Sequence, residues 1–363
     1  MHPHLPTTVI ASLDPVLRDL ATASTVCDVP GTVVLRYDLG PSSEDGLRRV
    51  VSDLSGVLED VTIALEHVCL GCAQREDVLP TIEAIADSGR WEHLVLALPV
   101  TADPVPVAAA LSAQADALHV TFSGVVTVVR AATLTDDLFG DDLLAERGCA
   151  LTEEDGRSVG EALASQLDAA DVVVTDTVLT ATAQTVLLHV CGPEVATLLL
   201  DEVDGRTLAL PRHTPGPRRY DLRAATRPAV ADTAEVWTVE LASPHPFHPE
   251  RLLERIEDLG AGRLRARGTF WLPTRPQTAC AWDGAGGQLC IGDMGDWAGE
   301  TPRTRLVVTG TDPDARDRLL DAFADLLLTD EELQEQDWWA VEDGFEPWLG
   351  PLELHTGVDV LQE

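Results

Sequence analysis

The chain has no lysine: all 25 of its Lys+Arg positions are arginine, and asparagine is missing as well. Two kinds of site are excluded by this. A phosphate loop of the form G-x4-G-K-S/T needs a lysine to reach the β and γ phosphates, and a loop that reads guanine with an Asn-Lys pair needs both residues. Codon pressure in a G+C-rich genome depletes both residues across a surface, but it would not remove a lysine that a working active site required. No apolar run approaches the ~20 residues of a membrane helix. The start, Met1-His-Pro-His-Leu-Pro, lacks the basic and apolar regions of a signal peptide. A cytoplasmic location, with no membrane contact, is therefore expected. Positive charge is scarce, the net charge being -36. Affinity for phosphate backbones rests on Lys/Arg neutralising them, so direct nucleic-acid binding is not expected and an RNA partner would be reached through another protein. A salt-rich cytoplasm is an alternative cause of the acidic excess, since it also keeps a protein soluble. Seven cysteines, an odd number, argue for thiols or metal ligands over a disulfide framework.

What is present reads as globular: 363 residues, 45% hydrophobic and 24% charged, are enough for two domains with separate cores. The first two hundred residues alternate short β-branched runs with helical patterns, which predicts a mostly parallel sheet with crossover helices. Strands are expected at Thr8–Ser12, Gly31–Tyr37, Val61–His67, Leu94–Leu98, Leu118–Val129 and Val172–Thr175. Helices are expected at Pro15–Ala23, Glu44–Leu58, Glu76–Ala86, Val107–Gln114 and Val159–Leu167, where apolar residues recur at three and four spacing. Pro211, Pro215, Pro217 and Pro228 then interrupt the periodicity beside a cluster of arginines. A second unit follows with strand Val236–Ala242, helix Pro249–Leu259, strands near Leu264–Leu272, Thr278–Trp282, Gln288–Gly292 and Arg305–Thr309, and helix Asp312–Leu327. That order predicts a small α+β domain.

Three stretches resemble the CobW-like family of GTPase-type metallochaperones: Cys69-Leu-Gly-Cys72-Ala-Gln-Arg-Glu-Asp-Val-Leu, Ala102-Asp-Pro-Val-Pro-Val107, and His245-Pro-Phe-His-Pro-Glu-Arg-Leu-Leu with Arg265-Ala-Arg-Gly-Thr-Phe-Trp-Leu-Pro. The resemblance covers most of the chain and is strongest in the C-terminal unit. It implies an α/β fold with a P-loop-GTPase-like, mostly parallel sheet and flanking helices, followed by a small α+β CobW C-terminal domain. The divisions expected are a degenerate GTPase-like domain over 1–205, a Pro/Arg-rich linker over 206–234, the C-terminal domain over 235–328 and an acidic Trp-containing tail over 329–363.

The nucleotide motifs of that family have gone. After the first strand the chain reads Ala11-Ser-Leu-Asp14-Pro15-Val-Leu-Arg18, and its first glycine of all is Gly31. Asp14 would repel a phosphate. The strand before Ala102-Asp-Pro ends Leu96-Ala-Leu-Pro-Val-Thr101, without the family's acidic residue, and the guanine-reading stretch is replaced by Thr175-Asp176-Thr177-Val178. Three independent losses imply a domain that keeps the fold without hydrolysing GTP, so GTP and magnesium are not expected as cofactors.

The family's metal loop is C-x-C-C. Here Cys69 and Cys72 match its outer positions and Gly71 stands in the middle. Two thiolates spaced C-x-x-C chelate one tetrahedral zinc only with further ligands, for which His67 and Glu66 are the nearest candidates. Other readings of the motif are a structural remnant and a weak redox pair. His2 and His4 carry no expected role, and His245 and His248 fall where a helix starting at Pro249 would be capped. Cys27, Cys149, Cys191, Cys280 and Cys290 sit in apolar or Gly-rich surroundings and are expected in the core. No Ser-His-Asp constellation is readable. Trp338, Trp339 and Trp348 either pin the tail to its own domain or form a partner surface. Arg212, Arg218, Arg219, Arg223 and Arg227 form the basic cluster and either neutralise the acidic body, meet an acidic partner or touch RNA.

These readings favour a CobW-like pseudo-GTPase that binds or regulates in zinc homeostasis, its partner a ribosome-associated protein or a zinc-requiring client. A GTP-dependent metal insertase with a diverged nucleotide site and a protein scaffold without metal stand as the alternatives.

Overall fold

The computed structural model describes residues 4–39, 46–63, 74–214, 220–260, 262–335, 338 and 342–352. Two compact units divide it, one of Met1–Tyr220 with Pro228–Val230 and one of Asp221–Arg227 with Ala231–Glu363.

The first unit is built on eight strands: β1 (Leu5–Ser12), β2 (Thr32–Leu39), β3 (Leu47–Asp53), β4 (Gly56–Ile63), β5 (His93–Ala97), β6 (Val120–Val129), β7 (Val172–Thr175) and β8 (Ala196–Leu199), in the order β4-β3-β2-β5-β1-β6-β7-β8. From β2 to β8 all neighbours are parallel, and β3 and β4 add an antiparallel edge. The central strands are apolar on both faces, as a sheet covered on both sides requires. Val33 and Leu35 point to one core and Val34 to the other, with Leu94 and Leu96 set against Val95 and Ala97 in the same way. Helices α1 (Pro15–Asp28), α2 (Leu79–Asp87), α3 (Val105–Ala113), α4 (Leu134–Phe139), α5 (Val159–Ala169), α6 (Ala181–Cys191) and α7 (Gly205–Ala209) flank it. Leu17, Ala21 and Leu208 cover one face, and Ile82, Val107 and Leu111 the other.

One expected helix is a hairpin instead. Glu44–Leu58 was expected helical from the spacing of its apolar residues, but residues 47–63 form β3 and β4. Asp53 makes the turn by accepting from the Ser55 N–H (2.8 Å) and hydroxyl, and Gly56 takes φ 129. Pairing with β2 then buries Val50 and Val51, a tertiary gain that outweighs local pattern. Strand β8 and helices α4, α6 and α7 were not anticipated. Among the described residues no helix is long and apolar enough to cross a membrane.

The second unit is an antiparallel sheet of β9 (Trp237–Ser243), β10 (Leu264–Phe270), β11 (Thr278–Ala285), β12 (Gln288–Asp296) and β13 (Thr304–Gly310), ordered β12-β11-β10-β13-β9. Gly286 and Gly287, both at positive φ, close β11 on β12 in a two-residue turn. Helices α8 (Pro249–Arg255), α9 (Glu257–Gly260) and α10 (Pro313–Leu326) pack on the sheet around Phe247, Phe270, Trp282 and Phe323, with Phe247 5.7 Å from both other phenylalanine rings. His248 caps α8, its Nδ1 accepting from the Arg251 N–H at 3.4 Å, and Pro249 opens the first turn. The tail docks on its own unit: Phe345 is fully buried against Phe270, and Arg275 donates to both oxygens of the buried Asp343. Trp338 is buried, with its ring edge-on to His248, whereas Trp348 is half exposed; Trp339 lies outside the described residues.

The cysteines are not all core. Cys191 and Cys280 are buried and Cys149 is partly covered, but Cys27 lies on the outer side of α1 and Cys290 on the edge strand β12, both exposed. Arg212, Arg223 and Arg227 donate to Thr207 O, to Met294 O and Asp296 O, and to Asp232, so the described members of the basic cluster are committed inside their own units. Arg218 and Arg219 lie outside the described residues.

Candidate functional site

In parallel α/β sheets, ligands bind in the crevice beyond the carboxyl ends of the strands. Here that crevice is a cavity of about 910 Å³ bounded by the loops after β1, β5 and β6, with Asp14, Pro99 and Arg130 in its wall. Its front is shaped by the first loop. Ser12, at the end of β1, donates its hydroxyl to Val128 O (2.7 Å) and accepts from the Asp14 N–H (3.0 Å), which fixes the chain as it leaves the strand. Asp14 then takes an extended conformation and caps α1, with Pro15 supplying the preset φ of a first helical residue.

The exposed N–H groups at the start of such a helix are a ready anion site. In this chain the anion is internal. Asp14 Oδ1 accepts from the Val16 N–H at 2.8 Å and the Leu17 N–H at 3.1 Å, and Asp14 Oδ2 is bonded by Arg130 from the end of β6. Burial alone would raise the carboxyl pKa, but the Arg130 hydrogen bond, the two N–H donors and the Arg130 charge outweigh it and hold Asp14 below the usual range. Arg130 reaches also toward Asp176 (3.5 Å), whose other oxygen accepts from the Ala131 N–H at 2.7 Å. Asp176, expected where guanine would be read, instead ties the loops after β6 and β7 together.

The remaining cations near the crevice are paired too. Arg18 is buried and donates to Asp19, to Asp38 at 2.8 Å and to Leu98 O at 2.9 Å, which turns it to the end of β5. Arg147 pairs with Asp142 and Asp137. Half-buried Cys149 lines the same cavity, and burial pushes its thiol up. The carboxylates of Asp14, Asp38, Asp137 and Glu153 also stand in the wall, and Arg130 and Arg147 are engaged with acidic side chains of the chain itself.

The expected metal ligands Glu66, His67, Cys69 and Cys72 lie outside the described residues. Among the described residues no group of three or more His, Cys, Asp or Glu side chains could hold a metal ion. The segment with the cysteines enters from Ile63 at the end of β4 and leaves at a wide helical turn, Gln74–Val78, before α2. Asp77 anchors that turn: it accepts from the Tyr37 hydroxyl and from Arg49, both at 2.5 Å. Burial first, then the Asp77 contact, raises the Tyr37 pKa, so its hydroxyl stays a donor.

One side-chain constellation escaped the sequence reading. Ser112, Asp171 and His213 come together on the first unit from α3, the position just before β7 and the segment after α7. No motif links three positions so far apart, and only the topology joins them.

Family models match two stretches of the chain: the CobW/HypB/UreG nucleotide-binding domain over residues 34–192, and the cobalamin synthesis protein cobW C-terminal domain over 236–327. A zinc chaperone of Mycobacterium tuberculosis is 30% identical over 292 residues, covering 74% of this chain and 68% of that protein. A zinc-regulated GTPase metalloprotein activator of Dictyostelium discoideum is 22% identical over 270 residues, covering 66% of this chain and 55% of that one. Among solved structures, Zn(II)-bound YjiA GTPase from E. coli aligns over 90% of this chain and 99% of that one, at 14% identity and a TM-score of 0.38.

Proposed function

We propose that this chain, which belongs to the CobW family, is a pseudo-GTPase: a binding or regulatory protein of zinc homeostasis that works in the cytoplasm without nucleotide turnover. The observation that carries this reading is the Asp14 carboxylate on the first N–H groups of α1, bonded by Arg130. A phosphate brought there would meet a negative charge at hydrogen-bond distance in place of open donors. The family's chemistry at that edge needs a lysine that the chain does not contain.

Zinc enters the proposal as cargo. Relatives are named for zinc, and Cys69 and Cys72 supply two thiolates, with His67 and Glu66 the nearest further donors. The client is a protein, either a zinc-requiring enzyme or a ribosome-associated factor met under zinc limitation. The formal charge of -36 favours a basic protein surface over direct contact with RNA.

Calorimetric titration with GTP and magnesium is the direct test. No binding heat at millimolar nucleotide is expected, whereas micromolar binding with turnover would establish the rival reading, a GTP-driven insertase using the same cavity with a rebuilt phosphate site. Recovery of the tagged chain from zinc-starved and zinc-replete cells, with bound proteins and metal counted, tests the zinc reading. Identical partners and no metal under both conditions would leave a scaffold.

A further inference from the structure

We propose that Ser112 is a reactive nucleophile, activated by His213 and positioned by Asp171, and that it attacks activated acyl or phosphoryl esters with weakly basic leaving groups. The site lies wholly in the first unit and is separate from the cavity at the strand ends. Ser112 Oγ is 2.8 Å from His213 Nε2, and His213 Nδ1 is 3.2 Å from Asp171 Oδ2. That is the order of contacts nucleophilic catalysis requires: a hydroxyl on a base, and the base on a carboxylate that fixes its tautomer.

The supporting groups hold the ring firmly. The side chains of His213 and Asp171 are 8% and 9% exposed, while Ser112 is open to solvent. Phe122 packs on the imidazole with ring centroids 4.3 Å apart. Asp171 Oδ2 also accepts from the Val125 N–H at 2.9 Å, and a side chain at Gly124 would come within 2.9 Å of that oxygen, so glycine there makes room for the carboxylate. A carboxylate only accepts, hence Nδ1 carries the ring proton and Nε2 of the neutral ring must accept. Ser112 Oγ has a second acceptor in reach, Ala108 O at 2.8 Å. Turned that way, it would set two lone pairs against each other across the 2.8 Å gap to Nε2, so in the neutral site the hydroxyl proton points to His213.

The surroundings also limit the chemistry. Ser112 sits in the last turn of α3, where the helix dipole is negative and opposes a growing oxyanion. The N–H groups of Arg212 and His213 are both directed to Ser123 O and are not oxyanion donors. One oxyanion-hole donor is worth on the order of 10²–10³ in rate, so the leaving group must supply what the site does not. The step is then balanced as follows. Ser112 Oγ bonds to the acyl carbon, its proton passes to His213 Nε2, the bond to the leaving phenolate breaks, and the imidazolium releases its proton to solvent. Water afterwards takes the acyl group and Ser112 recovers its proton.

A fluorophosphonate probe, which forms an Oγ–P bond and releases fluoride, tests this on the full-length chain, with 4-nitrophenyl acetate as the turnover substrate. We expect one covalent adduct, mapped to Ser112 by mass spectrometry, and at least tenfold slower labelling in both Ser112→Ala and His213→Gln, with circular dichroism unchanged. Asp171→Asn keeps an acceptor for Val125 but removes the charge facing Nδ1. Asparagine is isosteric with aspartate and keeps the packing, so we expect slower labelling in Asp171→Asn with circular dichroism unchanged. No adduct on the folded wild-type chain, an adduct elsewhere, or labelling of Ser112 that is indifferent to His213→Gln would overturn the proposal.

Discussion

If Asp14 stands where a phosphate would bind, removing its carboxylate should both weaken the fold and open an anion site. Asp14→Ala deletes a helix cap, which costs about 1 kcal/mol, within a usual span of about 0.5–2. It also deletes the pair with Arg130, whose side chain is 45% exposed against 20% for Asp14, so that part is discounted for solvent to about 0.2–1 kcal/mol. The sum is roughly 1–2 kcal/mol, or a fall of about 2–8 °C in the melting temperature of a unit of this size. Inorganic phosphate then separates the two effects. Bound to the emptied N-terminus with a dissociation constant of ~1 mM, 100 mM phosphate would return about 2.7 kcal/mol to the variant. The wild-type chain should gain nothing specific from it.

The pH dependence has a fixed sign. Asp14 is held below its ordinary value of 3.8 in the folded state, so its stabilisation is fully present above that value and is lost as the pH falls through the depressed native value. The melting difference between wild type and Asp14→Ala should therefore be constant near neutrality and close in strong acid. Scanning calorimetry at several pH values, with and without phosphate, reads both. Equal phosphate responses in the two proteins, or equal melting temperatures without phosphate, would refute the internal-anion account.

Arg275→Ala should cost about 3–5 kcal/mol, because it leaves the buried Asp343 charge without its partner, and limited proteolysis should then cut near residues 343–350 before the rest of the second unit. Unchanged protease resistance would mean that the tail's apolar contacts, Phe345 and Leu349 among them, hold it without the ion pair. Phe247→Ala removes a fully buried ring from the aromatic cluster and should cost about 3–5 kcal/mol in denaturant unfolding of the same unit. Cys69→Ser with Cys72→Ser should abolish zinc in the purified protein, counted by elemental analysis, and zinc retained in the double variant would assign it to other ligands.

What could be read from sequence depended on how local the determining forces were. Strand β7, Val172–Thr175, was legible to the residue because four β-branched or small side chains between Asp171 and Asp176 allow little else. The start of α1 was equally plain, since Asp14 and Pro15 are cap and first-turn residues in succession. The β3–β4 hairpin was not, because Leu47, Val50, Val51 and Leu54 keep helical spacing and only pairing with β2 selects the strand. Helix α6 has both end signals, Thr180 accepting from the Ala183 N–H and Gly192 at positive φ, but no clear helical apolar period between them. Its β-branched interior hides a helix that tertiary packing enforces. The cavity front was legible as a loss of motifs but not as a replacement. Ser112, Asp171 and His213 were beyond any local pattern, since each is an ordinary residue until the sheet order is known.

On the proposed reading, the residues that stand where the family's nucleotide motifs would be form one arrangement, distributed by topology. Asp14 and Arg130 are 116 positions apart and Arg130 and Asp176 another 46, yet β1, β6 and β7 are neighbours in register, Ser12 beside Val128 and Val129 beside Thr175. The loops that leave them therefore emerge side by side, and an acid, a base and an acid form a single chain across the edge. Each member is justified by the others. Without Arg130 the two carboxylates would face each other uncompensated, and without Asp14 the first turn of α1 would lose its acceptor. A lysine introduced into the first loop would accordingly meet Asp14, Asp38 and Asp176 before any triphosphate. Restoring one motif alone leaves the acidic edge in place.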